Sequence, residues 1–326
     1  MDTALPRRLT ELSIHSLKQV NNPTFQPNMA EAPLQLKLTP IPLKPRKQET
    51  IVAAVDTSSI RIGETATGTL IAIRGATVYK QNRQYRYVRV GPFILHTTEE
   101  NKHEVYAALQ HSCFNTTHEH TPNLLQMPMR MANYLEKWLQ ATLARNTKDS
   151  LILFDGSLTS GTPDTPIRQL KETLATARQR RNTVLAFSKM TTLRFNGHPI
   201  TDAQPNHKPP YLLETTGLKP KPPIVLLGDV YVARLTNGNY AFRVDIDKEV
   251  LFQEKIEAIE KLLTNDLIAQ SYPETLRLAH ILCTFTANEV IAIQHLAASK
   301  YGVKIIQKPD MHRLLFGPFG RGENNA

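Results

Sequence analysis

Residues 151–157 read LILFDGS. Four consecutive apolar residues describe a short strand buried on both faces, because a strand with one wet face would alternate. The run stops at Asp155, and Gly156-Ser157 are turn formers. A second stretch has the same form: Thr50–Val55 (TIVAAV) runs into Asp56 and then Thr57-Ser58-Ser59. A third, Thr183–Ser188 (TVLAFS), leads directly to Lys189. Apolar strands separated by helical stretches predict a mixed α/β sheet flanked by helices.

Around these strands, spacing predicts helices at His103–Ser112, Met127–Arg145, Thr165–Arg181, Val250–Leu263, Pro273–Phe285 and Ala287–Tyr301. In the second, Met131, Leu135, Trp138, Leu139 and Leu143 fall close to a 3.6 period. Gly68–Arg74, Ala76–Tyr79 and Tyr85–Leu95 read as consecutive antiparallel strands, and Val303–Gln307 as a last one. Ile224–Leu235 and Tyr240–Ile246 form a hairpin across Thr236–Asn239, where Asn-Gly signals the turn. Asn196–Pro223 holds seven prolines and reads as a long loop. Residues 1–48 read as an appendage with a short amphipathic helix at Glu11–Val20, residues 49–312 as the core, and 313–326 as a tail. The tail's Leu314, Leu315, Phe316 and Phe319 either pack back on the protein or dock a partner.

The chain has 326 residues and a formal charge of +10. Excess positive charge points to an anionic partner, most commonly nucleic acid. Ile167–Pro223 holds ten basic residues against three acidic ones, with Arg178, Arg180 and Arg181 clustered at a helix end. That cluster is either a DNA-binding patch or a solvated helix end suited to the macrodipole. Two cysteines, Cys113 and Cys283, make no disulfide framework and no CxxC pair. No apolar run approaches the ~20 residues of a spanning helix, and the N-terminus has no apolar signal core. A cytoplasmic protein without membrane contact is expected. No GxGxxG, GxxxxGK[ST] or GxSxG motif occurs, which argues against dinucleotide, P-loop and serine-hydrolase chemistry.

Asp56 and Asp155 each close an apolar strand, where open α/β sheets build sites. Asp and Ser also open turns and cap helices, so either residue alone is ambiguous. Glu136 lies in the helix leading to the Asp155 strand, and Tyr272 and His280 flank a helix start in SYPETLRLAH. Lys189 is a strand-end cation. Phosphodiester hydrolysis needs hard oxygen ligands for divalent ions, chiefly Asp and Glu with an occasional His, and a basic surface for the backbone.

The ordered set IVAAVDTSS, the helix with Arg130 and Glu136, LILFDGSL, LAFSKMTTLR, YVARL…YAFRVDI and SYPETLRLAH resembles the NurA nuclease family over about Ile51 to Gln307. The resemblance implies an RNase H-like fold. It implies a DNA-end-processing nuclease of the 5′–3′ exonuclease and single-strand endonuclease type, working as a homodimer with a HerA-like hexameric translocase. It would make Asp56, Glu136, Asp155 and His280 ligands of Mn²⁺ or Mg²⁺, two ions in all, with Tyr272 completing the catalytic set. Arg130, Lys189, Arg178, Arg180 and Arg181 are the expected DNA contacts. Asp56 is followed by Thr-Ser-Ser where many members carry Gly-Ser, a change of turn rather than of ligand. The alternative is a catalytically silent DNA-binding clamp subunit of a translocase complex.

Overall fold

The sheet has ten strands. In chain order these are β1 (Gln35–Leu36), β2 (Ile41–Pro42), β3 (Val52–Glu64), β4 (Gly68–Gln81), β5 (Gln84–Thr98), β6 (Leu151–Asp155), β7 (Thr183–Ser188), β8 (Tyr211–Thr216), β9 (Gly228–Arg234) and β10 (Phe242–Asp247). Across the sheet they run β1-β8-β9-β10-β7-β6-β3-β4-β5, and β2 also pairs with β8. The neighbours β3, β6 and β7 are parallel, and the other pairings are antiparallel. The computed structural model describes residues 34–114, 120–162, 165–203 and 205–306, with Thr10, Glu11 and Ile14 besides.

Among the described residues six helices flank the sheet: α1 (Lys102–Phe114), α2 (Met127–Asn146), α3 (Ile167–Gln179), α4 (Phe252–Asn265), α5 (Glu274–Cys283) and α6 (Ala287–Tyr301). The strand period of two decides which face each residue serves. Ala53, Val55, Ile152, Phe154, Val184 and Ala186 pack with α1, α2 and α3. Their neighbours Val52, Ala54, Leu151, Leu153, Leu185 and Phe187 pack with α4 and α5. Both faces of the parallel strands are therefore covered, which is why those strands are apolar throughout. A fully buried Leu or Ile side chain contributes about 1.5–3 kcal/mol, so the site rests on a well-buried part of the core. α6 covers the outer half of β3 and β4 through Ile62, Leu70, Ala72, Ile293 and Ala297.

The α/β class and the six core helices follow the sequence reading, with ends shifted by a few residues. Four stretches differ. The segment read as a Pro-rich loop contains β8, whose Tyr211, Leu212 and Leu213 are buried between neighbours. Pro209-Pro210 stand before that strand rather than inside it, so they remove no ladder hydrogen bond. The stretch read as appendage supplies β1 and β2, and Leu36 and Leu43 are in the core. Gly68–Arg74 and Ala76–Tyr79 are one strand with a register shift between Ile73 and Gly75. The expected last strand is reduced to one bridge, Ile306 to Glu64. Most of Glu11–Val20, the residue Gln307 and the apolar tail cluster lie outside the described residues.

Glu274–Tyr301 matches a membrane-crossing helix by length and composition only. It consists of α5 and α6, separated at Thr284–Thr286, and Leu276, Ala279, Cys283, Ile293 and Ala297 are buried in the core.

Candidate metal centre

The register of two strands builds the site. β3 pairs with β6 from Val52 opposite Leu151 to Val55 opposite Phe154. The next pair in that register is Asp56 and Asp155. β6 ends there, whereas β3 continues eight residues further beside β4 alone. Asp56 is thus not at a strand end, as the sequence suggested, but at the level where its parallel neighbour stops. By the strand period both aspartates lie on the α5 side of the sheet, with Ala54 and Leu153.

Each acid is held by its surroundings. Asp56 Oδ1 accepts the Thr57 backbone N–H at 2.7 Å, and Oδ2 lies 2.7 Å from His280 Nδ1 on α5. The Asp56 carboxyl is 8 % exposed and the His280 ring 53 %, so the pair links the core to solvent. After Asp155, the Gly156 N–H donates to Phe187 O and the Ser188 hydroxyl to Gly156 O. Buried Asp245 on β10 accepts the Leu158 N–H at 3.0 Å and is clamped by Nε and Nη2 of Arg243, each at 2.7 Å. The turn that presents Asp155 is therefore pinned at three points.

Glu136 reaches the site from α2 on the opposite face. Thr57 donates to Ala132 O, and Gly75 admits Leu139 so closely that a Cβ there would lie 2.4 Å from Leu139 Cδ1. This contact seats α2 against β3 and β4 beside Asp56. Gln140 Nε2 donates to Glu136 Oε1 at 2.7 Å. Burial, with the charges of Asp56 and Asp155 adding to it and Lys137 opposing, pushes the Glu136 carboxyl up to about 7. Burial and the charge of Asp155 also raise Asp56, against the pull of His280. Two carboxyls, Asp56 and Glu136, whose proton affinity is raised partly by neighbouring like charge are an unsatisfied arrangement.

Lys189 and Tyr272 complete the edge of the site. Lys189 Nζ lies 2.7 Å from Asp155 Oδ2 and 5.8 Å from the centre of the Tyr272 ring. Tyr272 stands in a two-residue strand just before α5, with Phe242 and Phe187 against its ring. Its hydroxyl is buried and has no hydrogen-bond partner among the described residues. Burial, then Asp155 and Asp56, drive its proton affinity up. Tyr272, His280, Lys189, Phe242 and Arg277 line one open cleft of about 400 Å³. The carboxylate oxygens, an imidazole nitrogen and the orphaned hydroxyl fit a hard divalent cation, whose charge would relieve the crowding.

The structure brings together Asp56, Asp155, Tyr272, His280 and Lys189, with Glu136 within electrostatic reach of both aspartates. Arg130 sits in the first turn of α2, half-buried, six residues before Glu136. Arg178, Arg180 and Arg181 lie elsewhere, where α3 leads into the beginning of β7. Arg178 pairs with buried Asp247, Arg180 donates to Thr147 O, and Arg181 pairs with Asp149. Sequence reasoning missed Cys283, whose sulfur lies near Asp56 and His280. The three-residue step in His280-Ile-Leu-Cys283 is the signal that could have found it.

No protein-family model and no curated protein matches the chain. Among solved structures, the chain is similar to the NurA nuclease from Sulfolobus solfataricus at 15 % identity and a TM-score of 0.51, covering 95 % of this chain and 100 % of that one. A NurA bound to dAMP and manganese matches at 9 % identity, covering 93 % and 98 %, with a TM-score of 0.45. An endonuclease V from Bacillus subtilis matches at 11 %, covering 81 % and 88 %, with a TM-score of 0.37. Identities this low bear on the fold alone, and it is the first of these that the chain shares over nearly its whole length.

Proposed function

We propose that the protein is a divalent-metal-dependent DNA nuclease with an RNase H-like core. The observation that carries this reading is the side-by-side placement of Asp56 and Asp155 on adjacent parallel strands, with Glu136 and His280 converging on them. The sharing of its overall fold with a NurA nuclease supports it. Asp56, Asp155, Glu136 and His280 would hold Mn²⁺ or Mg²⁺, two ions in all. A bound divalent cation supplies charge neutralisation at the scissile phosphate and lowers the pKa of water. Asp155 and Asp56 keep their oxygens fixed by the pinned turn and by the His280 contact. Glu136, whose Oε1 accepts from Gln140, would offer Oε2 to the ion. His280, half in solvent, can pass a proton outward. Lys189 stands where a phosphate oxygen entering beside Asp155 would find a cation, and the Tyr272 hydroxyl is free to donate to it.

In the same reading, the protein acts on DNA ends with 5′–3′ exonuclease and single-strand endonuclease activity, as a cytoplasmic homodimer partnered by a HerA-like translocase and without membrane contact. Cleavage of end-labelled single- and double-stranded DNA with Mn²⁺, Mg²⁺ or chelator, wild type beside Asp56→Ala, tests the chemistry. Metal-dependent cleavage lost in the variant is the expected result. Retained DNA binding with no cleavage by the wild type under any metal would favour the silent clamp subunit instead.

A further inference from the structure

Cys283 is a buried thiol one helical turn after His280 on α5, and the proposed hydrolysis does not use it. Residues three apart on a helix share a face. Here that face looks onto β3, and one ligand atom each from Asp56, His280 and Cys283 lies within 4.8 Å of the others. The sulfur makes only a local contact, its S–H donating to His280 O at 3.2 Å. A carboxylate oxygen, an imidazole nitrogen and a sulfur form a softer donor set than the oxygen-dominated shell that Mg²⁺ favours. Sulfur and imidazole are the ligands of Zn²⁺, and of softer ions still. With bonds of roughly 2.0–2.3 Å, a tetrahedral ion holds its ligands up to ~4 Å apart, so the observed spacing closes with small side-chain movements.

We infer that Asp56, His280 and Cys283 form a soft-metal subsite that selects Zn²⁺ over Mg²⁺. Binding exchanges the thiol proton for the metal: the S–H bond breaks, an S–Zn bond forms, one proton leaves to solvent, and no electron moves. The subsite shares Asp56 and His280 with the proposed hydrolytic centre. On that reading, zinc there excludes the hard ion from Asp56 and holds the nuclease inactive.

The test uses the full chain carrying Cys113→Ser, which leaves Cys283 as its single thiol. Cd²⁺ serves as the spectroscopic probe. One equivalent should produce the ultraviolet thiolate-to-cadmium charge-transfer band, and Zn²⁺ should bleach it by displacement. Adding Cys283→Ser should abolish the band and weaken Zn²⁺ binding by more than the ~10–100-fold seen when only an outer-sphere partner is lost. Mn²⁺ binding, followed by its paramagnetic resonance signal, should change little, because the serine removes a sulfur that Mn²⁺ does not seek. A missing band in the Cys113→Ser protein, or a zinc affinity indifferent to Cys283→Ser, overturns the inference. Should the serine variant melt early, His280→Gln decides, since a cadmium band of unchanged affinity there also overturns it. None of these readings involves DNA. A failed cleavage assay therefore leaves the subsite standing, and a missing cadmium band leaves the nuclease reading standing.

Discussion

The two ends of the parallel strands β3, β6 and β7 hold similar numbers of charges and treat them in opposite ways. At the end where the strands begin, every arginine of the α3 cluster has an acceptor: Asp247 for Arg178, Thr147 O for Arg180 and Asp149 for Arg181. At the other end, Asp56, Asp155 and Glu136 crowd together with one lysine and one histidine between them. Structural ion pairs settle at one end and like charges are kept near each other at the other. Unrelieved electrostatics of the second kind mark functional sites more often than paired networks do. Positive charge in the sequence pointed to the first end, and the proposed function places the chemistry at the second.

The sharpest way to break this contrast is to neutralise the crowded end. Asp155→Asn keeps the size of the side chain and the pinned turn, and removes one charge. Cleavage should fall by at least ~10²–10³-fold, the scale on which one lost charge-stabilising group acts. Single-turnover assays with Mn²⁺ measure it. Near-wild-type cleavage would mean that the acids are only a strained structural feature.

The paired end should fail in stability instead. Arg178→Ala leaves the nearly inaccessible Asp247 carboxylate without its partner, and stripping one member of such a pair costs about 3 kcal/mol. Because Arg178 is 31 % exposed, water will recover part of that loss. Urea unfolding should show the drop, while cleavage per folded molecule holds. The same variant decides the arginines' role as DNA contacts. If the log–log salt slope of DNA binding also falls by roughly one, this end touches phosphate as well.

A smaller effect separates the two ends by pH. The Glu136 carboxyl is raised from an ordinary value of 4.5 to about 7. The native state therefore binds a proton more tightly than the unfolded chain. Its contribution to stability is fully present below the unfolded value and is lost as pH rises from about 4.5 through 7. In chelator, the wild type should lose on the order of 2 kcal/mol across that window, discounted for partial hydration. Glu136→Gln should flatten this dependence and be the more stable protein at pH 8. A wild-type curve no steeper than the variant's would remove Glu136 from the buried charge cluster.

How much of this was legible follows from which interactions are local. The runs TIVAAV and LILF are buried on both faces, and that requirement is written in consecutive residues. Asp56 and Asp155 could be singled out by the same reading. Their alignment could not, because it depends on a register between strands about a hundred residues apart. β8 was hidden because Tyr211–Thr216 is short and its flanks are rich in proline, although those prolines border the strand without entering it. β1 and β2 were hidden with it, since β8 is their partner. The partners of the arginine cluster were hidden for a similar reason: Asp149 and Asp247 lie 32 and 69 residues away in the chain. Cys283 was weighed only against Cys113, so its three-residue step from His280 was passed over.

Lys189 gives the finest test of the contrast, because it is the one cation that the crowded end holds against Asp155. Its ammonium is 42 % exposed and the Asp155 carboxyl 22 %, so the ion pair itself is worth no more than about 0.5–1 kcal/mol. Lys189→Met should therefore barely move the melting temperature. If Lys189 only balances Asp155, cleavage should hold, and the Mn²⁺ concentration needed for it should fall, because a competing cation is gone. If Lys189 meets the incoming phosphate, the DNA concentration at half-maximal rate should rise while the metal requirement stays put. The proposed function expects the second pattern, with the KM for DNA carrying the change. A lowered metal requirement with an unchanged KM would make Lys189 a counter-ion of the resting site, bringing the crowded end one residue closer in kind to the paired one.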